Sequence, residues 1–189
     1  TVSSAGLVTS VADGSATITA TSGSATKTAS ITVSQVASSV TLAPTSKTFT
    51  SVGDTVTLVP TVKDAGGNTM SGATVTWASS NTSYATVSSA GLVTAVADGS
   101  ATITATSGSA TKTASITVSQ VASSVTLSPT SKTFTSVGDT VTLVPTVKDS
   151  GGTAMSGATV TWASSNTSYA TVSSAGLVTA VADGSATIT

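Results

Sequence analysis

Apolar and polar residues alternate along this chain in short runs that are rich in Val, Thr and Ile. A period of two residues is that of a β-strand with one buried face. Turn-forming Gly, Asp and Asn separate the runs about every 8 to 12 residues, and no window has the 3.6-residue period of a helix. In the middle of the chain the pattern predicts eight strands, at 40–42, 48–50, 55–62, 74–79, 85–88, 92–96, 100–106 and 113–119. Short strands at this spacing favour an all-β sandwich over alternating strands and helices.

The same alternation selects the residues that should form the core. Along each predicted strand the large apolar residues fall on one face. We expect the largest of them to anchor the core: Trp77, its copy Trp162, Leu58, Ile103 and Ile116. Pro60 lies inside the longest predicted strand, and because proline has no N–H to donate, this strand should lie at an edge or contain a bulge.

The whole pattern repeats every 85 residues. Comparing each residue with the one 85 positions later gives 104 pairs, of which five differ: Ser10/Ala95, Ala43/Ser128, Ala65/Ser150, Asn68/Thr153 and Thr69/Ala154. A period of this length is one small all-β domain rather than one turn of a solenoid. The sequence therefore predicts the C-terminal part of a repeat at 1–35, a complete repeat at 36–120, and a repeat without its last strand at 121–189.

Both ends of the sequence fall inside a copy of the repeat. We expect the 189 residues to be a segment of a longer array, since an unpaired strand edge beside a core is costly. The alternative is that neighbouring chains complete the open copies by donating strands.

Composition narrows the chemistry that the chain can perform. It contains no Cys, His, Arg or Glu, which excludes disulfides, thiolate or imidazole metal ligands and histidine bases. A net charge of −1 gives no basic surface for nucleic acid, and no apolar run is long enough to span a membrane. We therefore expect a non-catalytic protein that needs no cofactor, binds no nucleic acid and does not insert into a membrane within these residues.

Four motifs follow one another in the complete copy: GDTVTL at 53–58, VTWASSN at 75–81, GLVTA at 91–95 and GSATITA at 99–105. In this order and spacing they resemble the bacterial immunoglobulin-like group 2 domain, and the resemblance covers the whole period. It implies a sandwich of seven or eight strands with Trp77 on the third main strand. It also implies tandem arrays in surface adhesins, secreted fibres and phage virion proteins, without enzyme activity. The inter-sheet disulfide of antibody domains has no counterpart here, so packing alone must hold the core.

Carboxylates in turns and asparagines in one short motif supply the remaining candidate sites. Calcium prefers several oxygen ligands, which makes candidates of Asp13, Asp54, Asp64 and Asp98, although Asp is also a common turn residue. Across a junction between copies, Asp13 is expected to approach Asp64. Asn81 and Asn166 each begin an N-x-S sequence, the acceptor pattern for N-glycosylation.

The leading expectation for function is mechanical. We expect an extracellular or cell-surface fibre, stalk or adhesin in which the copies supply length and spacing, with a phage virion as the alternative setting. Its partners would be neighbouring repeats of the same chain and identical chains placed laterally or head to tail. Each copy should advance about 35 to 45 Å, given strands of six to eight residues, and a linker without Pro or a Gly run should bend little.

Two other functions remain open at this point. One is a glycan-binding or cell-binding adhesion module, although sugars usually stack on exposed aromatic rings and the complete copy contains just Phe49, Trp77 and Tyr84. The other is a self-assembling filament or sheath whose chains exchange strands.

Overall fold

A computed structural model describes all 189 residues as sixteen β-strands without a helix. The first copy contributes β1 (Gly14–Ser22) and β2 (Ala25–Val33). The complete copy contributes β3 (Ser39–Ala43), β4 (Ser46–Phe49), β5 (Thr55–Thr57), β6 (Val59–Lys63), β7 (Thr76–Ser79), β8 (Ala85–Val87), β9 (Leu92–Ala95), β10 (Gly99–Ser107) and β11 (Ala110–Val118). The third copy contributes β12 (Ala122–Ser128), β13 (Thr140–Thr142), β14 (Val144–Asp149), β15 (Ala170–Val172) and β16 (Leu177–Ala180). The chain contains no helix that is long and apolar enough to cross a membrane.

The complete copy is a β-sandwich, which confirms the predicted all-β fold class. One layer is a four-stranded sheet in the order β4-β11-β10-β7, in which β4 runs parallel to β11 and the other pairs are antiparallel. The opposite layer consists of the pair β3-β6 and the three-stranded sheet β5-β9-β8. Small β-branched residues suit this architecture because they pack closely on a pleated surface.

The core lies between these two layers. It is a cluster of 16 buried residues: Ala37, Val40, Leu42, Phe49, Leu58, Val62, Ala85, Val93, Ala95, Ala101, Ile103, Ala105, Ala110, Ala114, Ile116 and Val118. Three of the expected anchors, Leu58, Ile103 and Ile116, are at most 1% exposed. So many alanines in the core allow the layers to approach closely, and the few large side chains therefore supply much of the buried apolar area.

The expected role of the tryptophans needs a correction. Trp77 and Trp162 are only partly buried, and Trp77 packs against the edge of the core cluster. Trp77 lies on β7, one of the two outer strands of the four-stranded sheet, and its ring packs against Gly91 beside the core. Phe49 is instead the largest fully buried side chain, at 1% exposed.

The strand predicted at 55–62 is two strands. β5 pairs with β9 in one sheet, whereas β6 pairs with β3 in another. The change occurs at Leu58, whose N–H donates to the Gly91 carbonyl. Pro60 lies in β6 opposite Leu42, and β3 is the one partner of β6, which agrees with the prediction of an edge position.

Candidate functional site at the junctions between copies

The linker that joins the complete copy to the third copy is bonded to the preceding domain. The Ser119 N–H donates to the Phe49 carbonyl at 2.9 Å, and the Val121 N–H donates to the Thr50 carbonyl at 3.0 Å. These bonds extend the pairing of β11 with β4 past the end of both strands. The linker is therefore an extended segment bonded to the complete copy rather than a free tether.

Gln120, in the middle of this linker, connects the two copies. Its backbone N–H donates to Asp98 Oδ1 at 2.7 Å, within the complete copy. Its side-chain Nε2 donates to Asp149 Oδ2 at 2.8 Å, in the third copy. One residue thus binds a carboxylate on each side of the junction, and hydrogen bonds to carboxylates are stronger than those between neutral groups.

Asp149 receives donors from both copies. Its Oδ1 accepts the Thr153 N–H at 2.8 Å within its own loop, and its Oδ2 accepts the Val52 N–H of the complete copy at 3.0 Å. The side chain is only 2% exposed. The hydrogen bond from Gln120, with those from Thr153 and Val52, holds the pKa of Asp149 below its ordinary value, against the opposing effect of its desolvation.

A pair of hydroxyl groups adds a further bond across the same junction. Ser51 Oγ and Ser150 Oγ lie 2.6 Å apart. Ser51 is 1% exposed, and no buried polar side-chain atom in the chain lacks a hydrogen-bond partner. The junction is therefore a closely packed polar contact in which every buried polar side-chain atom has a hydrogen-bond partner.

The junction between the first and complete copies repeats the glutamine bridge. The Gln35 N–H donates to Asp13 Oδ1 at 2.7 Å, and its Nε2 donates to Asp64 Oδ2 at 2.9 Å. Asp64 Oδ1 also accepts the Asn68 N–H at 2.8 Å. The hydrogen bond from Gln35, with those from Asn68, lowers the pKa of Asp64 from its ordinary value.

The structure places three of the four calcium candidates in the glutamine bridges. Asp13 and Asp64 meet through Gln35, and Asp98 occupies the position of Asp13 at the next junction. The side chain of Asp54 is exposed and takes no part in either bridge. No group of three or more metal-binding side chains forms. The carboxylates of both junctions face N–H donors instead, and calcium binding stays a prediction.

The remaining candidates take part in neither glutamine bridge. Asn81 and Asn166 are partly buried, and the Oδ1 of each accepts the N–H two residues later, at 3.0 and 2.9 Å, as in an Asx turn. Their glycosylation stays a prediction. Phe49 is buried in the core, so it cannot form an exposed aromatic platform with Tyr84.

The glutamines were missed as functional residues from sequence. Gln35 and Gln120 are the two Gln of the whole chain, and each lies in a linker of small and hydroxyl-bearing residues. A lone amide side chain between two acid-bearing turns is the signal that points to them. This signal can be recognised only when the positions of the Asp64 and Asp149 loops in space are known.

Comparison with known proteins agrees with the fold. The model of the bacterial Ig-like domain (group 2) matches residues 1–33, 36–118 and 121–189. No curated protein sequence matches the chain.

Three solved structures illustrate the similarity. Domains 4 and 5 of the S-layer protein SbsC are 29% identical over 59% of this chain and 69% of that one, with a TM-score of 0.42. The Escherichia coli adhesin FdeC is 21% identical over 88% of this chain and 65% of that one, with a TM-score of 0.43. Invasin, a bacterial integrin-binding protein, is 19% identical over 94% of this chain and 42% of that one, with a TM-score of 0.45. This chain thus spans less than two thirds of the FdeC and invasin chains. Its three copies belong to the bacterial immunoglobulin-like domain (group 2) family.

Proposed function

We propose that this chain is a non-catalytic spacer in an extracellular or cell-surface protein, where its copies supply length and hold a defined geometry. The observation that carries the proposal is the glutamine bridge, because Gln35 and Gln120 make the same pair of bonds at successive junctions. A repeat that served only as a flexible tether would gain nothing from a bonded junction.

Near-identity of the copies supports the same function. Only five of 104 repeat pairs differ, so each copy presents almost the same surface. Length and regular spacing need such uniformity, whereas a binding site needs to exist only once. Binding to a target is therefore assigned to other parts of the protein to which this array belongs.

Deletion of one period tests the spacer function. Removing residues 36–120 from the protein in its source joins two equivalent linkers and should shorten the object by one axial step of about 35 to 45 Å. Electron microscopy of the intact object gives the width, axial period and attachment point. Unchanged length after the deletion, or loss of attachment with normal length, would contradict a spacer.

A further inference from the structure

Two neighbouring strands of the complete copy lie on the path that tension takes through the domain. The chain enters at β3, crosses into the four-stranded sheet as β4, and leaves at the end of β11. β4 and β11 run parallel, from the pair Ser46/Ser115 to the pair Phe49/Val118. A pull on the two linkers therefore draws the start of β4 and the end of β11 in opposite directions, so that the two strands are sheared past each other.

Shear loads the hydrogen bonds between these strands together rather than one at a time. The Ser115 N–H donates to the Thr45 carbonyl at 3.0 Å, before the first pair of the ladder. The bonds from Ser119 and Val121 continue the ladder into the linker. Unfolding under force is governed by the unfolding rate, so whatever resists the sliding of β4 along β11 determines how long the domain survives under tension.

One oxygen atom of the following copy holds the continuations of both strands. Asp149 Oδ2 accepts the N–H of Val52, three residues beyond β4, at 3.0 Å. The same atom accepts a hydrogen bond from Nε2 of Gln120, two residues beyond β11, at 2.8 Å. The Ser51–Ser150 bond at 2.6 Å adds a second contact between the end of β4 and the following copy.

This contact is buried, which strengthens it. Asp149 and Ser51 are 2% and 1% exposed, and hydrogen bonds are electrostatically stronger away from water. A Cβ placed on Gly151 would lie 3.4 Å from Ser51 and from Val52, so the backbone of the loop also lies against the end of β4. For β4 to slide away from the junction, Ser51 and Val52 must leave the following copy while Gln120 stays with it.

We propose that the third copy ties together the two strands of the complete copy that bear tension, and that the complete copy therefore resists forced unfolding more strongly when the third copy is docked on it. The proposal rests on the spacer function, because tension reaches these strands when an array is held at both ends. The Asp149 carboxylate is then a mechanical element of the domain that precedes it. Docking of the next copy protects a domain as well as orienting it.

Force spectroscopy across the complete copy tests the tie in the full 189-residue chain. The chain has no Cys, so Ser34→Cys and Ser123→Cys, two exposed positions beside the linkers, attach the handles uniquely. Tension then passes through both linkers and the complete copy, whereas the rest of the third copy carries none and keeps its loop docked. Unfolding of the complete copy is recognised by a lengthening on the order of 250 to 300 Å.

Removal of the carboxylate breaks both bonds to the tie. At a fixed force, Asp149→Ala should raise the unfolding rate of the complete copy about tenfold or more, because hydrogen bonds to a charged group are lost. Thr153→Ala is the matched control, since it changes a side chain of the same loop that makes no hydrogen bond. The control should leave the rate unchanged within about twofold.

A second variant separates the tie from general damage to the loop. Gln120→Ala removes the bond to the β11 side alone and should speed unfolding of the parent chain. In the Asp149→Ala background it should have little further effect, because both substitutions break the same tie. Additive effects of the two substitutions would overturn the proposal, as would equal acceleration by Asp149→Ala and Thr153→Ala.

The direction of pulling separates a tie against shear from a general gain in stability. Handles at Ser71→Cys and Ser89→Cys, two exposed positions on either side of β7 and β8, do not shear β4 against β11. With these handles Asp149→Ala should accelerate unfolding far less than with the linker handles. An equal acceleration in both directions would contradict the tie.

Failure of the tie is distinguishable from failure of the spacer. Unfolding rates that ignore Asp149→Ala would overturn the tie and leave the dependence of the object's length on the number of copies as it was. An object whose length ignores the deletion of one period would contradict the spacer, whatever the unfolding rates.

Discussion

The side-chain amide of Gln120 donates to Asp149 of the next copy at 2.8 Å, and the same residue's N–H binds Asp98 of its own copy. Gln35 and Asp64 repeat this relationship 85 residues earlier, at 2.9 Å. The bridge joins neighbouring domains through one short amide side chain and two carboxylates. The carboxylate oxygens accept N–H donors from both copies, and hydrogen bonds to a charged group are stronger than those between neutral groups.

Removal of the bridging amide should loosen the junction. Gln120→Ala leaves Asp149 with backbone donors alone, so we expect amide exchange at Val52 to become roughly ten times faster. Hydrogen exchange resolved by NMR measures this rate directly. Ser119→Ala is the control, since the Ser119 side chain is exposed and makes no hydrogen bond. Equal effects of the two substitutions would contradict a specific bridge.

Acid should weaken the junctions. The hydrogen bonds from Gln35 and Gln120 lower the pKa of Asp64 and Asp149 from the ordinary value of 3.8. A carboxyl group whose pKa is lower in the folded state contributes stability above the ordinary pKa and loses it as the pH falls through the folded pKa. Above about pH 5 these two groups should therefore contribute nothing to the pH dependence of the melting temperature. The melting temperature should fall once the pH drops below their ordinary pKa.

Substitution of the acid separates this effect from general acid denaturation. Asp149→Asn cannot titrate, so its melting temperature should fall less steeply than that of the parent between about pH 4 and about pH 2. Identical slopes for the two proteins would show that Asp149 does not contribute.

Two isoleucines in identical strand sequences differ in burial. Ile103 and Ile18 both lie in the strand sequence GSATITATS, but Ile103 is fully buried and Ile18 is only partly buried. Ile103→Ala should lower the free energy of unfolding by about 2 to 5 kcal/mol. Ile18→Ala should cost less than about 1 kcal/mol. Guanidinium denaturation of both variants measures the difference, and equal losses would contradict the placement of the core.

Strand pattern and repeat period predicted most of this fold because both depend on local alternation. The break at Leu58 was not predictable in the same way. Its cause is pairing with two different sheets, through β9 and β3, which are distant in sequence. The burial of Phe49 and the partial exposure of Trp77 likewise depend on what covers each strand, since both residues lie on outer strands of the four-stranded sheet. The junction escaped prediction because hydrogen bonds between copies leave no periodic signal.

Two glycines with the same backbone angle test the packing of Trp77. Gly91 has φ +78° and Gly72 has φ +79°, a region that favours glycine. A Cβ at Gly91 would lie 2.8 Å from the Trp77 ring and 2.7 Å from the Leu58 carbonyl oxygen, whereas a Cβ at Gly72 would meet nothing within 4 Å.

The two alanine variants should therefore differ in stability. Gly72→Ala should cost about 1 kcal/mol from the backbone angle alone. Gly91→Ala should cost at least about twice as much, since the ring or the backbone must also move. Denaturation curves followed by tryptophan fluorescence measure both, and similar losses would contradict the close contact between Gly91 and Trp77.

The distance between spin labels at Ser89→Cys and Ser174→Cys in the otherwise unchanged chain measures the order of the junction between copies. These exposed positions are equivalent in successive copies, so their separation measures the advance per copy and its spread measures bending at the junction. A bonded spacer predicts a single narrow distribution centred at about 35 to 45 Å. A broad distribution, or a centre far outside that range, would show that the copies do not form a bonded spacer.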